Sequence, residues 1–216
     1  MELSNLKKWV KPAVDALPPR RTIIIGLVLL IAFVIVMTPL FNMLIYPLKY
    51  EENIFNSAIE TKADPFLIMA IIRAETKFQP NQQSRVGAQG LMQIMPDTVD
   101  FIIRNGKFSP SLRDYVYDPV TNIQLGSWYI AYLTKRYDGN KVAVMAAYNA
   151  GHGRVDRWLK EGIWDGTRQN VTQIPEAFGE TRHYVTRVSY YYEKYKQLYQ
   201  DEYEEYKTNM LKNQHH

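Results

Sequence analysis

The chain has 216 residues, of which 46% are hydrophobic and none is cysteine. This composition excludes a disordered or fibrous protein and fits one domain with an appendage, while the lack of cysteine excludes disulfides, a thiolate zinc site, a cysteine nucleophile and a cysteine-linked lipid anchor. The net charge of +4 comes from the N-terminus, and the nearly neutral remainder gives no electrostatic basis for binding nucleic acid.

An apolar segment follows the basic N-terminus. Residues 22–46 carry no charge and are long enough to cross a bilayer as a helix. The basic side chains before them (Lys7, Lys8, Lys11, Arg20 and Arg21) predict, by the positive-inside rule, a cytoplasmic N-terminus and an outer main domain. A buried soluble helix would show a polar stripe, and a cleaved signal peptide would show a small-residue cleavage site. We therefore predict a cytoplasmic segment at 1–21, an uncleaved signal anchor at 22–46 and an outer domain at 50–216.

The outer domain is predicted to be all-α, because no stretch shows the sustained alternation of a strand. Caps, prolines and glycines place the helix boundaries. The predicted helices are 51–62, 65–77, 98–105, 119–137, 142–148, 154–160 and a long one from about 179 to 211. Only residues 47–50 separate the apolar segment from the first of them, which predicts that the domain works within a few residues' reach of the bilayer.

A tyrosine-rich stretch lies in the last predicted helix, at residues 190–206. It could form an aromatic platform for sugars or lipid headgroups. Tyrosines at helical spacing more often pack an amphipathic face onto the core, and this is the interpretation we favour.

One carboxyl group breaks the pattern of an otherwise apolar helix. Glu75 lies in the last turn of the predicted helix 65–77, on the same face as Ile71 and Ile72. Burial and the negative end of the helix dipole both disfavour its charged form, so we predict a raised pKa, as a glycosidic general acid requires. The alternative is a surface glutamate near Lys77, and helix position alone favours that alternative.

The sequence after Glu75 favours the functional interpretation. Residues 84–96 read SRVGAQGLMQIMP, and two glycines three apart predict a tight loop. Beside a buried carboxyl group, such a loop can bring Ser84 and Gln93 into one cleft, with Met95 as a soft apolar surface for a sugar.

Three ordered motifs resemble a known family. The first consists of Glu75, Thr76, Phe78 and Pro80 followed by the run 84–96, the second is AAYNAGHG at 146–153, and the third is ETRHYV at 180–185. Together they are similar to the lytic transglycosylases of the soluble type. The resemblance covers about 53–195 and implies a lysozyme-like helical domain with a cleft for alternating N-acetylmuramic acid and N-acetylglucosamine.

The resemblance also implies roles for single residues. Glu75 matches the family's catalytic acid, whereas the other matching positions hold substrate or close the cleft: Ser84, Gln93, Met95, Tyr148, Asn149, Glu180 and Tyr184. The chain departs from the family pattern at Thr76, Gln79 and His152, where serine, asparagine and proline are usual, but none of these changes removes a group that the reaction needs. We assign no role to His152, since a lone loop histidine usually lies at the surface.

In this family one carboxyl group suffices where ordinary glycosidases use two. The C6 hydroxyl of the muramic sugar attacks its own anomeric carbon, and this closes a 1,6-anhydro ring. The resemblance therefore implies that Glu75 first gives a proton to the leaving oxygen and then takes one from that hydroxyl. No metal or other cofactor is expected. The implied partners are peptidoglycan strands and the membrane, with cell-wall synthesis or secretion machinery left open.

Two other functions remain at this stage. A hydrolase of the goose-type lysozyme kind would use Glu180 to activate water and would release a reducing sugar. A membrane-tethered glycan-binding scaffold would have a dead site, which disagrees with an intact set of Glu75, Gln93 and Tyr148.

Overall fold

The computed structural model describes residues 19–213, except for the side chain of Met43. The predicted cytoplasmic segment 1–21 therefore lies almost wholly outside the described residues. The chain divides into two compact units between Pro47 and Leu48.

The first unit contains helix α1, Arg20–Ile45. Residues Arg20–Asn42 have a mean hydropathy of 3.0 and are long and apolar enough to cross a membrane, as judged by length and composition. Their aliphatic side chains are exposed along the whole helix. Pro39 lies inside α1, where it removes one backbone donor.

The second unit is helical, and the all-α prediction is confirmed. Within residues 48–213 there is no strand, and β-type pairing is limited to two isolated bridges in one loop. The α-helices are α2 Glu51–Thr61, α3 Pro65–Glu75, α4 Pro96–Gly106, α5 Pro119–Arg136, α6 Lys141–Ala150, α7 His152–Lys160 and α8 Gly179–Asn213. Short 3₁₀ turns that the sequence analysis did not predict lie at Pro110–Tyr115, Val171–Gln173 and Glu176–Phe178.

Side-chain caps place several helix starts where the sequence predicts them. Asp64 accepts a hydrogen bond from the Phe66 N–H at 3.1 Å, and Asp118 accepts one from the Thr121 N–H at 2.9 Å. Each aspartate precedes a proline at the first helical position, where the missing N–H costs nothing. Asn140 caps α6 in the same way through the N–H groups of its second and third residues.

Helix ends were predicted less well. The predicted helix 65–77 ends at Glu75, because Lys77 and Phe78 have positive φ angles of 54° and 62°. The predicted start at 98 was two residues late, since Pro96 opens α4. Helix α6 is longer than predicted at both ends, and α7 begins at His152 rather than at 154.

Helix α3 forms the centre of the core. Every residue from Pro65 to Ile72 is buried, and α3 packs on α8, α2 and α5. On α8 the residues Tyr192, Tyr195 and Tyr199 are buried, and farther along Tyr203 lies edge-on to Phe55 with ring centroids 5.1 Å apart. The prediction that these tyrosines pack onto the core is thus confirmed.

Candidate active site

Glu75 is the last residue of α3 and borders a polar cleft of about 380 Å³. Its side chain is only partly exposed. The cleft is lined by Glu75, Thr76, Lys77, Gln79, Gln82, Gln83, Ser84 and Gln93. The structure therefore brings together three of the residues singled out from the sequence: the carboxyl group, Ser84 and Gln93.

Thr76 fixes the point at which α3 ends. It is 6% exposed, and its hydroxyl lies 2.8 Å from the Leu91 carbonyl and 3.3 Å from the Ile72 carbonyl. The first contact ties the end of α3 to the loop across the cleft. Glu75 is therefore held at the cleft edge by its neighbour.

The environment of Glu75 raises its pKa to about 7. Burial is the main cause, because it disfavours the charged form. The Tyr184 hydroxyl and the Arg187 charge act in the opposite direction, whereas the Glu180 charge adds a smaller increase. The direction and the main cause are those expected from the sequence. Near neutral pH, this carboxyl group is present in both protonation states.

Two tyrosines from different helices lie beside this carboxyl group. Tyr148 on α6 donates a hydrogen bond to the Met92 carbonyl at 2.9 Å, and burial together with the Glu75 charge raises its pKa well above 10. Tyr184 on α8 is 2% exposed, and its pKa is raised for the same two reasons. Both phenols therefore remain neutral at physiological pH.

The Tyr184 hydroxyl acts as a donor toward Glu75 and lowers its pKa. Among the described residues it reaches no partner at ordinary hydrogen-bond distance and angle. Its contact with the Glu75 carboxyl group is thus longer or more bent than an ordinary hydrogen bond. A buried, under-satisfied hydroxyl next to an acid is a donor still available to a bound sugar or to the ionised carboxylate.

The loop opposite Glu75 is held by its own backbone and side chains. The Ser84 N–H donates to the Ala88 carbonyl, and the Ala88 N–H donates to the Ser84 hydroxyl, both at 2.9 Å. The Gln93 Nε2 donates to the carbonyls of Gly90 at 2.8 Å and Gln82 at 3.0 Å. Both amide hydrogens of Gln93 are thereby used inside the loop. Its Oε1 is the atom left to meet a ligand.

Asn122 holds the loop from beneath and was missed by the sequence analysis. It is completely buried on α5. Its Oδ1 accepts from the Met92 N–H at 2.7 Å, and its Nδ2 donates to the carbonyls of Gln89 and Val116 at 3.1 and 2.8 Å. The available signal was a polar residue between the apolar positions of a core helix, which requires partners when buried.

Gly90 passes directly over this asparagine. Its φ is +73°, and a Cβ there would lie 2.2 Å from Asn122 Nδ2 and 2.7 Å from the Val116 carbonyl. The close approach explains one glycine of the loop motif. Gly87 also has a positive φ, of +91°, but has open space around it. Glycine at position 87 is therefore favoured by backbone conformation alone.

The remaining predicted residues occupy different surroundings. Met95 is 40% exposed and directly precedes α4, without a side-chain cap hydrogen bond. Asn149 uses its Oδ1 to accept from the Thr181 hydroxyl at 2.7 Å, which ties α6 to α8. Glu180 is exposed in the first turn of α8, close enough to raise the pKa of Glu75.

His152 is not a surface loop residue. It begins α7, is half-buried, and packs against Phe101 and Tyr132 with centroid distances of 5.6 and 6.0 Å. Burial lowers its pKa. A second cleft of about 430 Å³ lies here, lined by Asp97, Thr98, Phe101, Arg104, Tyr129, Gly151, His152 and Gly153. Across residues 19–213 no cluster of three His, Asp or Glu side chains suits a metal ion.

Comparison with known proteins places this geometry in a family. The family model described as the transglycosylase SLT domain matches residues 52–171. The soluble lytic murein transglycosylase of Escherichia coli K12 is 39% identical over 153 residues, covering 68% of this chain and 23% of that protein. The membrane-bound lytic murein transglycosylase C of Edwardsiella ictaluri is 36% identical over 118 residues, covering 50% of this chain and 33% of that protein.

Solved structures agree with this match. The 70 kDa soluble lytic transglycosylase of Escherichia coli has a TM-score of 0.65 at 35% identity, covering 70% of this chain and 25% of that one. An inactive mutant of the lytic transglycosylase Slt from Pseudomonas aeruginosa gives 0.63 at 34% identity, with 70% and 24% coverage. The chain spans about a quarter of the length of these soluble relatives. The chain belongs to the transglycosylase SLT domain family and has its lysozyme-like helical fold.

Proposed function

We propose that the protein is a membrane-anchored peptidoglycan lytic transglycosylase. It cleaves the β-1,4 bond between N-acetylmuramic acid and N-acetylglucosamine and leaves a 1,6-anhydromuramic acid end. The observation that carries the proposal is Glu75, a partly buried carboxyl group at the edge of a polar cleft with a pKa of about 7. The relatives named lytic murein transglycosylases support the choice of substrate.

The first step requires an acid. With a pKa of about 7, roughly half of the Glu75 carboxyl groups hold their proton at pH 7, whereas an ordinary glutamate is almost fully ionised. Glu75 donates this proton to the glycosidic oxygen as the bond from that oxygen to the muramic anomeric carbon breaks. The N-acetylglucosamine leaves with a free hydroxyl group.

The second step requires a nucleophile and a base. The C6 hydroxyl oxygen of the same muramic sugar forms the new bond to the anomeric carbon, and its proton passes to the Glu75 carboxylate. The acid is regenerated and no water is consumed. Both reacting atoms belong to one ring, so the cleft has only to hold the sugar in a shape that brings them together.

Several cleft residues have roles that follow from their unused hydrogen-bonding groups. The Tyr184 hydroxyl donates to the Glu75 carboxylate when it forms. Gln93 presents its Oε1 to sugar N–H or O–H groups, because its amide hydrogens are used within the loop. Tyr148 donates to the Met92 carbonyl, so it offers lone pairs to the site and steadies the loop. Ser84 binds sugar hydroxyl groups from the cleft wall.

Three further proposed contacts lie around this centre. Met95, with its exposed side chain, packs against the glycan. Asn149 supports the cleft by joining α6 to α8. Glu180 closes the cleft from the first turn of α8. These assignments follow the matching motifs of the family.

The placement in the membrane is part of the proposal. Residues 22–46 anchor the protein, 1–21 remain in the cytoplasm, and 50–216 form the outer catalytic domain. The apolar helix α1 and the name of the membrane-bound relatives support anchoring, and the basic N-terminal residues support the orientation. Because α1 ends at Ile45 and α2 begins at Glu51, the short connection keeps the enzyme on strands near the membrane.

The test is digestion of purified peptidoglycan by the full chain in detergent. We expect muropeptides that are lighter by one water than hydrolysis products, as read by mass spectrometry. Glu75→Gln is expected to lose at least about a thousandfold in kcat while it still binds sacculi, since it lacks the exchangeable proton. Glu193→Gln, which neutralises an exposed glutamate on α8, serves as the matched control.

Two results would contradict the proposal. Products with a reducing end and the mass expected for hydrolysis, formed by the wild type but not by Glu180→Gln, would identify a hydrolase in which Glu180 activates water. If Glu75→Gln cleaved peptidoglycan as fast as the wild type, Glu75 would have no part in the mechanism.

A further inference from the structure

Arg187 lies on the face of α8 that carries Glu180 and Tyr184. The three residues follow one another at spacings of four and three, which places them on one side of a helix. Glu180 and Tyr184 both belong to the surroundings of Glu75. The same face of α8 therefore carries a cation whose charge acts on Glu75, although the sequence analysis assigned Arg187 no role.

The Arg187 side chain is exposed, and its guanidinium lies near the Tyr184 ring. Its central carbon lies 5.8 Å from the centroid of the Tyr184 ring, within the range of a cation–π contact. The ion pairs found in the described part of the chain involve other cations: Arg113, Arg136 and Lys141. Arg187 thus keeps a positive charge that no carboxylate within residues 19–213 neutralises through an ion pair.

The charged and titratable groups around Glu75 come from three segments. Helix α8 contributes Tyr184, Arg187 and Glu180, α6 contributes Tyr148, and the cleft wall contributes Lys77. The Arg187 charge lowers the pKa of Glu75 and outweighs the opposing charge of Glu180. Arg187 is therefore the charge on α8 that favours the ionised form of Glu75.

We infer that Arg187 is a positioning residue for the reaction proposed above, acting through Tyr184 and through space to stabilise the carboxylate that Glu75 becomes once its proton has left. Burial destabilises the ionised form of Glu75, through which the acid must pass in each cycle. The Arg187 charge partly offsets this effect, although Arg187 is not among the residues that line the cleft. The inference rests on the proposed function for its role in turnover, but its electrostatic content can be measured separately.

The first test measures the Glu75 carboxyl group directly. Full-length protein in detergent, labelled with ¹³C at the glutamate carboxyl carbons, is titrated by NMR, and Glu75→Gln identifies the signal. We expect Arg187→Gln to move the midpoint upward by about half a pH unit, which is the size that one partly screened charge produces. Arg187→Lys keeps the charge and is expected to titrate like the wild type.

Lys196→Gln is the matched control. Lys196 is an exposed cation on the same helix, roughly two and a half turns later and so on the opposite side. Its removal changes the net charge of the protein by the same amount. We expect no change in the Glu75 midpoint.

The second test measures turnover. We expect Arg187→Gln to lower kcat several-fold with little change in KM, and to move the alkaline fall in activity to higher pH. The Arg187→Lys variant is expected to behave like the wild type in both respects. An unchanged Glu75 midpoint in Arg187→Gln would overturn the inference, as would an equal shift in Lys196→Gln or a failure of lysine to rescue. If the wild type released no glycan fragments, the proposed function would fall, whereas the NMR titration would still decide what the Arg187 charge does.

Discussion

Replacement of Asn122 by alanine is expected to damage both the stability of the domain and its cleft. The side chain is completely buried and makes three hydrogen bonds to backbone groups of Met92, Gln89 and Val116. Each such bond contributes about 1 kcal/mol net, and buried groups left unpaired cost more. We therefore expect a loss of roughly 2 to 4 kcal/mol in the free energy of unfolding.

The catalytic effect follows from the same contacts. The loop carries Ser84 and Gln93, and the Met92 carbonyl anchors Tyr148. A loop that is free to shift by an ångström loses alignment, so we expect kcat/KM to fall by about tenfold or more even where the protein remains folded.

The assay is urea unfolding of the full chain in detergent, followed by fluorescence of the buried Trp158 and Trp164, beside a peptidoglycan digestion assay. Asn105→Ala is the control, because Asn105 is exposed and bonds only to its own helix, through the Phe101 carbonyl. A loss in Asn122→Ala no greater than in Asn105→Ala would refute the reasoning. Normal kcat/KM in a destabilised Asn122→Ala would show that the loop does not depend on this support.

Two further predictions use the same protein. The pKa of Glu75 is about 7 in the folded protein and near 4.5 in the unfolded chain, so the free energy of unfolding should decline as pH rises from about 4.5 to 7 and should level off above that. Activity should also fall above pH 7. Glu75→Gln should lack this part of the stability decline, and an identical decline in that variant would rule out Glu75 as its source. Gly90→Ala should destabilise the domain by about 2 kcal/mol more than Gly87→Ala. Both positions have a positive φ, but only a Cβ at position 90 would collide with Asn122 and the Val116 carbonyl. Equal losses of stability, measured by thermal unfolding, would mean that the crowding at Gly90 is relieved without loss of stability.

The sequence predicted those features that depend on local chemistry. Asp64 and Asp118 precede prolines, and both helix starts were placed correctly. Glu75 stood out because it interrupts an apolar helix, and burial is indeed the main cause of its raised pKa. The end of α3 was misplaced because nothing local indicates the positive φ angles of Lys77 and Phe78 or the contact between Thr76 and the distant Leu91 carbonyl.

Features that depend on tertiary contacts could not be predicted from the sequence. The sequence placed Gln93 in the cleft but did not indicate that the carbonyls of Gly90 and Gln82 accept both of its amide hydrogens. His152 was assigned to a surface loop, since nothing local indicates the aromatic rings that cover it. Asn122 acts on a loop about thirty residues earlier, and only the folded arrangement of α5 reveals that pairing.

The order in which the chain is made has a consequence for when the acid exists. Burial raises the pKa of Glu75, and its helix α3 packs on α8, which begins about a hundred residues downstream. Domains fold as units behind a growing chain, so the burial that raises this pKa awaits the synthesis of α8. For the function proposed above, the proton-donating form of Glu75 thus arises only once α8 has packed on α3.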